Sequence, residues 1–202
     1  MALVNKDPQE ISDALRHWFQ GQLPGATAVS IDDLSVPSAS GMSNTSVLFT
    51  ASWSIGDTTS SEQLVARIAP DGPGIFMETD HAKEAAVMNA LAGAGLPVPV
   101  VRWVEESPAA LGAPFLVMQR ATGRVPADDP PFTATGWVLE LSEDEQLRLC
   151  TASIEAIADV NNVDWKGLGL GFLAPPEGTD AFDAELAKWR APRRRQIGRA
   201  HV

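Results

Sequence analysis

The sequence predicts an α+β fold: an antiparallel sheet of about five strands with one main helix, followed by the start of a helical lobe. Three observations carry this. Short apolar strands punctuated by Gly and Pro crowd the chain up to Gln119. One helix-period stretch interrupts them, ending near Leu91. Beyond Gln119 the pattern turns to polar loops and further helix-period segments.

The bounds agree with a globular protein. A chain of 202 residues, 45% hydrophobic and 20% charged, can build one good core, or one lobe and part of another. A net charge of -11 argues against nucleic-acid or membrane-surface partners, because phosphate backbones and anionic lipids repel it. The single Cys150 rules out a disulfide framework within the chain and points to a reducing compartment. No apolar run is long enough for a bilayer, and the first residues lack the pattern of a secretion signal. The expected location is cytoplasmic.

The elements follow in order. Asp7-Pro8-Gln9-Glu10 opens a helix with a capping Asp, Pro in the first turn and Glu at the third position. Ile11, Leu15, Trp18 and Phe19 share one face, and Gly21 ends it. Residues 28–36 and 47–55 read as strands, joined by the small polar run Ser38 to Thr45 around Gly41. Gly56-Asp57 turns the chain into the apolar strand Gln63-Leu64-Val65-Ala66-Arg67-Ile68-Ala69, which Pro70 closes. After the loop Asp71-Gly72-Pro73-Gly74, a helix runs from Phe76 to Leu91, with Ala82, Ala85, Ala86, Val87, Met88 and Leu91 on its apolar side. Leu96-Pro97-Val98-Pro99-Val100 leads into a strand through Val104, and Phe115 to Met118 forms another. Gln119 to Gly123 has the polar, flexible look of a connector between lobes. Ser142-Glu143-Asp144-Glu145 is a capping box for a helix to Val160, with Leu147, Cys150, Ile154, Ile157 and Ala158 expected inside. A last helical piece spans Asp180 to Trp189.

Arg67 is the residue that breaks the pattern. A guanidinium cannot be neutralised, so an inward-facing Arg67 needs an anion. Glu84, bordering the apolar side of the next helix, is the first candidate. A strand cation tied to a helix carboxylate, with donors to spare, is a phosphate grip. A solvated Glu84 pairing with Lys83 is the competing reading. Strand, small-residue loop, strand is the layout of a flap over nucleotide phosphates, but one glycine does not by itself separate a flap from a hairpin turn.

Taken together, Arg67, Glu84, Gly41-Met42-Ser43-Asn44 and Gly112-Ala113-Pro114-Phe115-Leu116-Val117-Met118 resemble the N-terminal lobe of the aminoglycoside phosphotransferase-like kinases. Asp71-Gly72-Pro73-Gly74, Leu96-Pro97-Val98-Pro99, Gly123-Arg124-Val125-Pro126 and Gly136-Trp137 are similar to the branch also found fused to acyl-CoA dehydrogenases. The resemblance covers roughly Val29 to Trp189. It implies a protein-kinase-like N-lobe at 28–119 behind an N-terminal packing helix at 1–27. A hinge and linker at 120–141 then lead to the start of a helical C-lobe at 142–191.

The resemblance also implies ATP and Mg²⁺ as cofactors and a small-molecule hydroxyl as acceptor. Gly41, Met42, Ser43, Asn44 and Thr45 would cover the phosphates. Arg67 would replace the usual strand lysine, held by Glu84. Met118 would back the adenine pocket, with the C=O of Gln119 and the N–H of Ala121 on the adenine edge. The family's His-Gly-Asp catalytic loop, its following Asn and a second Asp are not matched. Of His17, His81 and His201, none precedes an Asp at that spacing, and His17 and His81 read as surface residues. This chain is therefore expected to carry neither the catalytic base nor the metal ligands, and to be inactive alone. Residues 192–202 form a junction whose Ile197 to Val202 matches one frame of a sequencing adapter and reads as an artefact. Two rival readings stay open: a non-catalytic nucleotide- or partner-binding pseudokinase module, and an unrelated α+β domain in which Arg67 and Glu84 are a structural ion pair.

Overall fold

Asp7 caps the first helix, α1 (Pro8–Gln22), by accepting from the Gln9 N–H at 2.9 Å. In this computed structural model, which describes residues 7–37, 44–70, 79–127 and 130–197, α1 buries Ile11, Leu15, Trp18 and Phe19. These are the four residues that the helical spacing brings to one face. Five strands follow: β1 (Thr27–Ser35), β2 (Thr45–Ile55), β3 (Thr58–Ile68), β4 (Val101–Glu105) and β5 (Phe115–Gln119). All neighbours are antiparallel, in the order β1-β2-β3-β5-β4. The mixed α+β class, with its five-stranded sheet, is the one expected.

Period-two alternation divides the sheet into two faces. Val47, Phe49, Ala51, Leu64, Ala66, Ile68, Phe115 and Val117 pack on one face with α1. Trp18 anchors that layer edge-on to Phe115 at 4.9 Å, and Phe19 to Trp103 at 5.2 Å. The Trp18 indole also donates to Glu105 at 2.9 Å, tying α1 to β4. Helix α2 (His81–Gly93) covers only the β4–β5 part of the opposite face, where Ala85 and Met88 meet Val101, Val104, Leu116 and Met118.

Helix α2 departs from expectation at its start. Its cap is Asp80, which accepts from the Lys83 N–H at 2.9 Å, so the helix begins at His81. Phe76 lies outside the described residues, as does the loop at 71–74. Ala82 and Ala86 are exposed, because the helix rests on the sheet along the narrow line of Ala85 and Met88.

The capping box at Ser142 forms as predicted and opens α3 (Glu143–Asn161). Its apolar face is not inside, however. Leu147, Ile154 and Ile157 are each more than 60% exposed, and Cys150 and Ala158 are exposed too. Helical spacing defines a face but not its cover, and no described element packs over this one. The last helix, α4 (Ala181–Ile197), extends past the expected Trp189. Residues 198–202, most of the adapter-like tail, lie outside the described residues.

Candidate functional site

Arg67 projects from β3 on the face opposite α1, because its neighbours Ala66 and Ile68 take the core side. It meets Glu84 from α2: Nη1 donates to Oε1 at 2.5 Å. Both side chains are partly shielded, 33% and 25% exposed. The expected pair therefore exists, and it crosses from sheet to helix. Lys83 instead pairs with Asp80 at 3.0 Å.

Two devices set the position of α2 and hence of Glu84. Asn89 brackets Val101 on β4: its Nδ2 donates to the Val101 C=O at 3.0 Å, and the Val101 N–H donates back to Oδ1 at 2.8 Å. At the other end, the His81 ring lies against Glu84, with Nδ1 3.3 Å from Oε2. His81 is buried, 4% exposed, which corrects its reading as a surface residue. The first turn of α2 faces the sheet, and a carboxylate there gives the imidazole a partner. The sequence signal was present in the i, i+3 spacing of His81 and Glu84. His17 is exposed, as expected.

The Glu84 carboxyl is held below its ordinary value, first by the hydrogen bond from His81 and then by the Arg67 charge, with burial opposing both. Glu84 is thus an anion that Arg67 can rely on at neutral pH.

Sheet register assembles the rest. Ser46 stands opposite Arg67 on one side and Leu116 on the other. Thr45, where the small-residue loop enters β2, pairs with Ile68, next to Arg67 on β3. The loop's Gly41, Met42 and Ser43 lie outside the described residues. One step along the sheet, Leu48, Val65 and Met118 form a cross-strand row of half-buried apolar side chains. Of these, only Met118 was singled out from sequence. Leu48 and Val65 share the alternation of their strands and could have been found from it.

At the end of β5, Gln119 N–H donates to the Val100 C=O at 2.9 Å, and Arg120 N–H to the Gln63 C=O at 3.0 Å. The sheet thus fixes the backbone up to the residue before Ala121. The described residues hold no group of three or more His, Cys, Asp or Glu side chains placed to bind a metal.

A five-stranded antiparallel sheet, with a helix carboxylate bound to a strand cation, matches a kinase-like N-lobe. The chain belongs to the phosphotransferase enzyme family (APH), whose profile matches residues 36–201. That match takes in part of the tail that the sequence reading had set apart. The fold is also similar to a crystal structure from Ralstonia eutropha JMP134, of a protein provisionally named an aminoglycoside phosphotransferase. The TM-score is 0.51 at 23% identity, over 94% of this chain and 48% of the other. The chain thus spans about half the length of that structure.

Proposed function

We propose that this chain is the nucleotide-binding lobe of an ATP-dependent kinase that phosphorylates a hydroxyl on a small molecule. The observation that carries the reading is the Arg67–Glu84 pair beside the Leu48–Val65–Met118 row. A guanidinium fork suits phosphate oxygens, and a half-buried apolar row suits a purine face. In this reading Arg67 holds the α- and β-phosphates, and Glu84 keeps the fork aimed at them. Residues 41–45 cover the phosphates, and Met118 backs the adenine. The Gln119 C=O and Ala121 N–H meet its edge.

The family's chemistry uses magnesium to neutralise the transferring phosphoryl group. The described residues hold no group of three or more His, Cys, Asp or Glu placed to bind it. The segments at 96–99 and 123–126 support placing the protein in the branch also found fused to acyl-CoA dehydrogenases.

Titration with a fluorescent ATP analogue tests the reading. The wild-type chain should bind it without turnover, and Arg67→Met should weaken binding by at least about tenfold. A chain that binds no nucleotide, or an Arg67→Met variant that binds equally well, removes the proposal and leaves the pair a structural one.

A further inference from the structure

Glu84 has two carboxylate oxygens, and each has its own partner: Oε1 takes Arg67 and Oε2 takes His81. An ionised carboxylate only accepts, so His81 must present its Nδ1–H. The other ring nitrogen, Nε2, is buried without a hydrogen-bond partner among the described residues. The ring is also fixed in place: His81 is the first residue of α2, behind the Asp80 cap, and only 3% of its side chain is exposed.

We propose that His81 is a positioning residue: by holding Oε2, it locks the Glu84 side chain in the orientation that presents Arg67 to a nucleotide phosphate. The nucleotide half of this inference rests on the proposed function; the Glu84 half does not. Without the imidazole, Glu84 has one tether and can rotate about it. The Arg67–Glu84 contact then loses its fixed direction, although the ion pair itself persists. A pair that serves stability alone needs no such second tether.

Two substitutions separate the roles. His81→Leu fills the buried space without a donor, whereas His81→Asn keeps an N–H near the place of Nδ1. The carboxyl titration of Glu84, followed by carbon NMR in the full chain, should move upward in His81→Leu and stay near wild type in His81→Asn. Affinity for a fluorescent ATP analogue should fall about tenfold in His81→Leu and recover in His81→Asn. A Glu84 titration that is the same in His81→Leu as in wild type overturns the proposal, as does a His81→Asn variant that recovers neither property. If the wild-type chain binds no nucleotide, the proposed function fails, and the Glu84 titration still decides whether His81 holds the carboxylate.

Discussion

Replacing Glu84 by Gln keeps the side chain's shape and removes its charge. Arg67 and Glu84 are 33% and 25% exposed, so their contact lies between two limits. Exposed pairs are worth under about 1 kcal/mol, and breaking a fully buried pair costs about 3–5 kcal/mol. One charge-assisted hydrogen bond, discounted for this exposure, gives a loss of about 1.5 kcal/mol. In a chain of this size that lowers the melting temperature by about 3–6 °C.

The pH dependence has a definite sign. Because folding depresses the Glu84 value, its contribution is present above the unfolded value and is lost as pH falls through the folded one. The ordinary value is 4.5. Wild type and Glu84→Gln should therefore differ fully at about pH 7 and converge only below the depressed folded value, where position 84 is neutral in both. Thermal melts followed by circular dichroism across this range measure the gap. Equal melting at neutral pH, or a gap undiminished in strong acid, would refute the reasoning.

Three further outcomes are expected. Phe19 is fully buried against Phe49 and Trp103, so Phe19→Ala should cost about 3–5 kcal/mol in urea unfolding. Asn89→Ala removes both bonds to Val101, and should cost about 1–2 kcal/mol and speed hydrogen exchange at the Val101 amide. Ile154 and Ile157 leave a bare apolar face, so the chain should self-associate in sedimentation, and the double change Ile154→Glu, Ile157→Glu should reduce that association.

Local signals made much of this fold legible. The α1 face could be read because Ile11, Leu15, Trp18 and Phe19 repeat at helical spacing. The capping box at Ser142 could be read because it needs only four residues in sequence. Arg67 stood out because a charge among aliphatic residues demands an explanation, and the nearest helix supplied one. What escaped depends on the third dimension. The partnership of Asn89 with Val101 joins a helix side chain to strand backbone, and no periodicity encodes it. The burial of His81 depends on where α2 starts, which the Asp80 cap sets and the apolar pattern blurs. For α3 the pattern gives the right helix and stripe but not its cover: a stripe reads the same whether or not anything lies over it, and Ile154 and Ile157 are exposed, as expected of a second lobe that is only partial.

The two borders of the sheet are closed in different ways. Strand β1 breaks register with β2 twice, and Ala28 and Asp33 take positive φ there, which bends its outer border away from a flat ribbon. On β4 the outward-facing amide and carbonyl of Val101 are already taken by Asn89, whose side chain imitates one rung of a missing strand. Asn89 thus blocks one rung on the β4 border, and the bulges bend the β1 border, so each edge is a poorer template for a second copy than a flat strand would be.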